Sequence, residues 1–257
     1  MSAIVFDIET GPLPLEEIQQ TLPPFDRESV KHPGEFDPSS VKIGNLGEAK
    51  AAEKIEKARE SHEAECVKHA ENLDKAESKH WFDILDKAAL SAVTGQVVAV
   101  GYQGKQRTLH LAIDGISERS LLAQFWRTYK SARAARRSLV GFNIKPFDVP
   151  FLAQRSWILG VEVPPTILTA TGYLDNVFID LMDRWKCGVR GWGQNGHGTL
   201  DAVCRSCGLT AKPSDCSGAD FAGMLWSDSP EEVAKAKAYL ENDLEMTAQL
   251  AERLGVN

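Results

Sequence analysis

The sequence contains no long hydrophobic run. No uninterrupted apolar stretch in its 257 residues approaches the roughly 20 residues that are needed to cross a bilayer. The N-terminus also lacks a basic region followed by an apolar run and a small-residue cleavage site, so we expect no secretory signal. These absences predict a protein with no membrane span and a cytoplasmic location.

Cysteine is scarce, with five residues in the chain. An odd number of cysteines without an export signal favours free thiols over a disulfide framework. Cys204 and Cys207 have CxxC spacing, and Cys187 and Cys216 flank them, so a structural zinc site is one interpretation. The other interpretation, which we favour, is a short helix from Thr199 to Gly208 in which Cys204 and Cys207 replace small core residues.

An excess of positive charge is also absent. The chain has 29 Lys and Arg residues against 36 Asp and Glu residues, which gives a net charge of -7. This balance argues against a protein that coats nucleic acid by bulk electrostatics. It does not exclude an enzyme on nucleic acid, because a site that collects carboxylates for metal ions is itself acidic and the bound cations then face the phosphate.

The apolar patterns predict the order of the secondary structure. The length and the hydrophobic fraction of 43% predict one globular domain over residues 1–257. Short apolar runs that end at turn residues predict five strands. The strands are residues 2–10, 96–102, 108–113, 138–143 and 176–181, and helices are expected at about 117–135, at about 147–159 and after the last strand. This order is that of an α/β RNase H-like fold, with a mixed five-stranded sheet flanked by helices.

A long insertion, at about residues 12–89, separates the first strand from the hairpin formed by the next two. Its first part, residues 12–47, is rich in Pro and Gly and predicts an extended loop. Its second part, about residues 48–89, is rich in Ala, Glu and Lys and predicts a long, mostly exposed helix. That helix is either a solvated arm or a surface for the substrate or a protein partner. We favour the arm, because charge runs are common on exposed helices.

The first candidate site motif lies in the first strand. Strand periodicity places Asp7 and Glu9 on one face and Phe6 and Ile8 on the other. Ionised carboxylates side by side in an apolar setting repel each other and lose hydration, so they persist if a positive charge lies between them. A divalent metal ion meets this need, and the alternative is a strand end that has emerged into solvent.

The second motif is Asp148, which stands among apolar residues just after the fourth predicted strand. The end of that strand is expected to neighbour the first strand, so Asp148 is a further candidate for the same site. The alternative is a solvent-facing acid at a helix start, a position that favours Asp.

The third motif lies on the last predicted helix. Ser229 as the cap, Pro230 in the first turn and a stop at Gly255 define this helix. The residues that share its inward stripe are Tyr239, Asp243, Met246 and Leu250. Asp243 is therefore predicted to be an acid on an inward face, beside a tyrosine.

These three motifs together resemble those of a known superfamily. The sequence FDIET, the stretch from Gly141 to Asp148 and the segment Tyr239 to Asp243 look like the three motifs of the DEDD superfamily, the DnaQ-like 3′-5′ exonucleases. The tyrosine four residues before the last aspartate resembles the DEDDy branch, and Ala238 stands where the other branch has histidine. The segments LDAVCRSCGL and SGADFAGMLW are similar to those before motif three in exonuclease domains related to B-family DNA polymerases. Because no polymerase domain follows, we expect a freestanding exonuclease.

The resemblance implies a metal-dependent 3′-5′ exonuclease that releases nucleoside monophosphates from 3′ ends of single-stranded nucleic acid, with DNA favoured over RNA. It implies two divalent cations, Mg²⁺ or Mn²⁺, about 4 Å apart. Asp7 is expected to bridge both ions, Glu9 and Asp243 to complete one site, and Asp148 to support the second. Tyr239 is expected to orient the attacking water.

The resemblance also gives candidates for substrate binding, which are Thr10, Asn143 and Phe147. Two other functions stay open: an exoribonuclease of the same fold, and a catalytically silent RNase H-like module that binds a partner through the insertion. The four acids and the tyrosine argue against the silent module.

Two weaker signals complete the sequence evidence. The glycine-rich loop at 188–198, which carries Arg190, Trp192 and His197, either contacts a single strand or is a connector. Asp180 lies in an apolar strand, where it either borders the site or is a hydrogen-bonded structural acid, and we favour the structural acid.

Overall fold

The computed structural model describes residues 3–45, 47–113, 115–187, 198–210 and 217–256. The chain divides into two compact units, one formed by Met1–Pro14 with Ala88–Asn257 and the other by Leu15–Lys87. The sequence-based expectation of one domain over residues 1–257 stays a prediction. None of the helices in the described ranges is both long and apolar enough to span a membrane.

The first unit is built on a five-stranded sheet with the order β3-β2-β1-β4-β5. The strands are β1 (Ile4–Pro12), β2 (Gly95–Gln103), β3 (Arg107–Leu111), β4 (Leu139–Gly141) and β5 (Phe178–Asp180). Strand β2 pairs antiparallel with both β1 and β3, whereas β4 runs parallel to both β1 and β5. The predicted mixed sheet and α/β class are confirmed, with strand ends displaced by at most about two residues, a normal uncertainty for boundaries read from a pattern.

Eight α-helices are assigned in the described ranges. They are α1 (Leu15–Thr21), α2 (Glu48–Ala88), α3 (Glu118–Ala134), α4 (Asp148–Ile158), α5 (Leu181–Trp185), α6 (Leu200–Ser206), α7 (Phe221–Leu225) and α8 (Pro230–Arg253). The predicted stop of α8 is confirmed, because Gly255 adopts a left-handed φ of 69°. The predicted position of Ser229 as the N-cap is confirmed, although its side chain makes no capping hydrogen bond.

The sheet separates two apolar cores. Phe6 and Ile8 of β1 belong to a core with residues of α3 and α4, whereas Val5 belongs to a core with residues of α6, α7 and α8. This alternation follows from the two-residue period of a strand that is covered on both faces. Asp7 and Glu9 lie two and four residues after Val5, so they point to the same face of the strand, which α8 covers.

The second unit consists of α1, α2 and the segment that joins them. The long helix predicted at about 48–89 is confirmed by α2, which has 41 residues. The loop predicted over 12–47 is partly wrong, because it contains α1, whose Ile18 is fully buried. Aromatic rings of the joining segment lie against histidines of α2, with Phe25 packed on His80 and Phe36 packed on His62.

Candidate active site

Strand β1 carries two acids toward the face that α8 covers. Glu9 is only 8% exposed and Asp7 is partly buried. One carboxylate oxygen from each of Asp7, Glu9 and Asp243 lies within 4.8 Å of the others. The structure therefore brings together three of the four residues expected to bind metal.

A glycine on the neighbouring strand allows α8 to approach the sheet. A Cβ atom at Gly101 of β2 would lie 2.7 Å from Leu244 Cδ1 and 3.1 Å from Leu240 Cγ. Because Gly101 has no side chain, these two leucines of α8 pack directly on the strand. Asp243, between them in sequence and only 6% exposed, is thereby held at the acids of β1.

Asp148 is the first residue of α4, and its carboxylate lies against β1. It is 5% exposed, and the backbone amide of Ile8, the residue between Asp7 and Glu9, donates a hydrogen bond to it. Burial raises the pKa of Asp148 to about 7, and the nearby charge of Asp180 also raises it. Asp148 is thus a fourth acid, contributed by α4, whose carboxylate lies against β1 at Ile8, between Asp7 and Glu9 in sequence.

The Tyr239 hydroxyl and the Glu9 carboxylate both lie next to Gly218. The position that a Cβ atom would occupy on Gly218 lies 3.4 Å from the Tyr239 hydroxyl oxygen and 4.0 Å from Glu9 Oε2. The Tyr239 ring is held by Phe221 of α7, with ring centroids 6.1 Å apart. Tyr239 therefore belongs to the site by geometry as well as by its spacing from Asp243.

The three candidate substrate contacts have different surroundings. The Thr10 hydroxyl donates a 2.7 Å hydrogen bond to the carbonyl of Ala89, so this side chain anchors the end of β1. Asn143 has a left-handed φ of 63° in the loop after β4. The partly buried ring of Phe147, just before α4, lies 5.6 Å from the ring of Phe151.

Asp180 contributes more to this region than its sequence context indicated. It is 2% exposed and accepts three backbone hydrogen bonds, two of which come from the loop that precedes Asp148. The favoured interpretation as a hydrogen-bonded structural acid is confirmed. The two loop partners lie 35 and 37 residues away in sequence, so a local pattern does not reveal them. The one local signal is an Asp directly before a short helix.

Cys204 and Cys207 lie on or directly after the short helix α6. Cys204 is fully buried in the core, where its thiol lies 3.7 Å from the carbonyl of Met246, and burial raises its pKa to about 11. Cys207 ends the short helix α6 and is partly buried. These positions agree with the short-helix interpretation, whereas Cys216 and the glycine-rich stretch 188–197 lie outside the described residues.

The donor atoms in the acidic cluster suit a hard divalent cation. Carboxylate oxygens are the ligands that Mg²⁺ and Mn²⁺ prefer. Three carboxylates within 4.8 Å repel one another, and the raised pKa of Asp148 shows that burial disfavours its ionised form. Bound cations would relieve both effects, so the residues present fit the metal ions that the sequence motifs imply.

The comparisons with known proteins agree with this geometry. A family described as "Predicted 3'-5' exonuclease related to the exonuclease domain of PolB" matches residues 83–248. The chain belongs to this family. Asp148, Tyr239 and Asp243 lie inside the matched stretch, whereas Asp7 and Glu9 precede it and reach the site through β1. No curated protein matches the sequence.

A similar fold occurs among solved structures. The chain is similar to the family B DNA polymerase from the hyperthermophilic archaeon Pyrobaculum calidifontis, with a TM-score of 0.51 and 20% sequence identity. The similarity covers 66% of this chain and 23% of the polymerase chain. The expected relationship to B-family polymerase exonuclease domains is therefore confirmed at the level of family and fold.

Proposed function

We propose that this protein is a 3′-5′ exonuclease that removes nucleoside monophosphates one at a time from the 3′ end of single-stranded DNA, with two Mg²⁺ or Mn²⁺ ions. The observation that carries the proposal is the convergence of Asp7, Glu9 and Asp243 within 4.8 Å, with Asp148 bonded to the same strand. Membership of the PolB-related exonuclease family supports the reaction type.

The four acids divide between two metal positions in this proposal. Asp7 would contribute to both positions, Glu9 and Asp243 would complete one, and Asp148 would support the other. When bound, the two cations supply positive charge that activates the attacking water and stabilises the leaving 3′-oxygen. The carboxylates hold this charge on the face of β1 covered by α8, where the buried setting strengthens its effect on a phosphate.

Tyr239 orients the attacking water in this proposal. A phenol is ordinarily protonated at neutral pH, which makes it a poor base. A hydroxyl that lies beside Gly218, as Glu9 Oε2 does, instead fixes the direction of a water by hydrogen bonding. The packing of its ring on Phe221 reduces the freedom of that hydroxyl.

The loop before α4 receives the terminal nucleotide. Phe147 offers a partly buried ring on which a base can stack, and Asn143 offers an amide for a hydrogen bond. Both groups require an unpaired base, which favours a single strand. Nothing in these contacts reads the sugar 2′-hydroxyl, so the exoribonuclease is the alternative that the test must separate.

The deciding experiment uses single-stranded DNA and RNA oligonucleotides of the same sequence, each labelled at the 5′ or the 3′ end, with Mn²⁺ or with EDTA. We expect 5′-labelled DNA to shorten one nucleotide at a time and 3′-labelled DNA to release a labelled mononucleotide at once. EDTA should stop both reactions.

The same assay separates the alternatives. Faster degradation of RNA than of DNA identifies an exoribonuclease. Immediate release of a labelled mononucleotide from 5′-labelled DNA would show that the protein degrades strands from the 5′ end. Internal fragments would indicate an endonuclease. Binding of the strand without cleavage under any condition identifies the silent module.

A further inference from the structure

Asp180 is a buried carboxylate whose two oxygens have separate sets of partners. Its Oδ1 accepts hydrogen bonds from the backbone amides of Asn143 at 2.8 Å and Met182 at 2.9 Å. Its Oδ2 accepts one from the backbone amide of Lys145 at 3.0 Å. These three donors compensate the charge that burial would otherwise disfavour.

Only one of the three bonds is needed to cap a helix. Met182 lies in the first turn of α5, and an N-cap side chain typically accepts one such amide. The other two bonds leave this element and fasten the loop between β4 and α4 on both sides of Ile144. Asp180 therefore joins the end of β5 to the loop that precedes Asp148.

The loop turns at Asn143, which has a left-handed φ of 63°, a conformation that Asn adopts more often than most residues with a side chain. Ile144 is fully buried, and its carbonyl accepts a 2.9 Å hydrogen bond from the amide of Val149 in the first turn of α4. A displacement of the loop at Asn143 or Lys145 is thereby passed to the start of α4, where Asp148 lies.

We propose that Asp180 is a positioning residue for the candidate active site, holding the β4–α4 loop so that Asn143, Phe147 and Asp148 meet the substrate and the metal ions together. This inference rests on the proposed exonuclease function. Asp180 touches neither substrate nor metal in this role. It acts through the loop, separately from the effect of its charge on Asp148.

Two substitutions separate the loop bonds from the helix cap. Asp180→Asn keeps an acceptor for Asn143 and Met182 but turns an NH₂ group toward the amide of Lys145. Asp180→Ser keeps a good N-cap for Met182 but is too short to reach the loop. Both substitutions remove the same charge. A difference between the two variants in kcat, KM or Mn²⁺ affinity therefore reports the effect of the loop hydrogen bonds.

The experiment measures kcat and KM on single-stranded DNA with Mn²⁺, and Mn²⁺ affinity by calorimetry without DNA. Because a small misplacement of reacting groups costs about 10²-fold, we expect Asp180→Ser to lower kcat by about that factor. Asp180→Asn should lose less, and Mn²⁺ affinity should fall in the same order. A bond that only stabilises the fold would change the melting temperature and leave kcat, KM and Mn²⁺ affinity of the folded protein unchanged.

Asp175 provides the matched control. It accepts hydrogen bonds from the Tyr129 hydroxyl and from Arg133 Nε, both at 2.8 Å, and it lies just before β5. Asp175→Ser should lower stability without altering kcat or Mn²⁺ affinity. If Asp180→Ser does not fold, Asp180→Thr replaces it in the comparison with Asp180→Asn, because threonine is also a short, uncharged N-cap residue.

The outcomes distinguish this inference from the proposed function. Equal kcat, KM and Mn²⁺ affinity in Asp180→Asn and Asp180→Ser would overturn it, because the loop bonds would then have no effect on the site. If the wild-type protein binds Mn²⁺ but cleaves no strand, the proposed function fails, and the Mn²⁺ affinities of the two variants still decide the role of Asp180. A wild-type protein that neither cleaves nor binds Mn²⁺ would overturn both.

Discussion

The hydroxyl of Tyr239 and the carboxylate of Asp243 lie on one face of α8, but their proposed roles differ. Tyr239→Phe keeps the ring on Phe221 and removes only the hydroxyl oxygen, which lies beside Gly218 as Glu9 Oε2 does. We expect it to lower kcat by about 10²-fold, the scale for losing a positioned proton-handling group, with Mn²⁺ affinity unchanged.

Asp243→Asn is the matched comparison, because it keeps the shape of the side chain and removes a charge from the cluster. It should lower kcat at least as much and should also weaken Mn²⁺ binding. Steady-state kinetics at saturating Mn²⁺ and calorimetry together test the pair. A loss below about threefold for Tyr239→Phe would remove its hydroxyl from the mechanism.

Asp148 predicts how the stability of the metal-free protein depends on pH. Its carboxyl ionises near 3.8 when unfolded, whereas burial raises the pKa in the folded protein to about 7. Between these values the folded state holds more protons, so the free energy of unfolding falls as pH rises from about 4 to 7. Urea unfolding in EDTA at pH 5 and pH 7 measures this loss.

Asp148→Asn is the control for that measurement. The asparagine has no proton to lose, so the free energy of unfolding of this variant should change less between pH 5 and pH 7 than that of the wild type. This difference between the two proteins should shrink when Mn²⁺ replaces EDTA. An equal loss in both proteins would show that other groups cause it.

The site could be predicted at the residue scale only where its chemistry is local in sequence. Asp7 and Glu9 share a strand face, and Tyr239 and Asp243 share a helix face, so periodicity was sufficient to place them. The bonds from Asp180 and the close approach at Gly101 were not predictable, because their partners come from other elements. The roles of the acids and of Tyr239 stay predictions until the substitutions are measured.

At the scale of elements, the apolar patterns were sufficient to predict the strands, but they did not predict the helix in the Pro-rich stretch. Helix α1 was missed because prolines surround it, although Leu15 and Ile18 have helical spacing and Pro14 directly precedes it, a position that a helix start tolerates. The strands β1 and β4 are far apart in sequence, so their pairing was expected from the predicted fold and not from a local pattern. The long helix α2 was predictable because its composition is uniform.

One buried ion pair joins α3 to α4. Arg155 and Glu118 have side-chain exposures of 4% and 9% and approach to 2.7 Å, and Glu118 also accepts the backbone amide of Val97 in β2. Because removal of one partner leaves a buried charge unpaired, Glu118→Ala should lower the free energy of unfolding by about 3–5 kcal/mol. Urea denaturation in EDTA measures it.

The double variant Glu118→Leu with Arg155→Met tests the cause of that loss. It leaves no unpaired charge, so it should be more stable than Glu118→Ala. A double variant less stable than the single one would show that the ion pair itself, rather than the unpaired charge, dominates.

At the scale of the whole molecule, the two compact units predict which part carries the chemistry. All the candidate catalytic residues lie in the unit formed by Met1–Pro14 with Ala88–Asn257. Thr10 and the carbonyl of Ala89, which lie on either side of the Leu15–Lys87 unit in sequence, are joined by a 2.7 Å hydrogen bond. A short linker can therefore close the gap left by removing that unit.

We expect a variant in which a Gly/Ser linker replaces residues 15–87 to fold and to bind Mn²⁺ as the full chain does. Circular dichroism and calorimetry check this expectation. Loss of the folded state would show that the first unit depends on the second, whereas retained Mn²⁺ binding with weaker DNA binding would assign the second unit to the substrate. A protein partner for α2 stays a prediction, as does the cytoplasmic location.

The central claim is that the acids of β1, α4 and α8 hold the metal ions that carry out the hydrolysis. The most direct measurement compares the release of 3′-terminal mononucleotides by wild type, Asp7→Asn and the exposed-surface control Glu162→Gln under saturating Mn²⁺. Since bound metal supplies several kcal/mol of charge stabilisation, we predict a fall of at least about 10³-fold for Asp7→Asn and none for Glu162→Gln. Equal rates in wild type and Asp7→Asn would place the chemistry elsewhere and contradict the account.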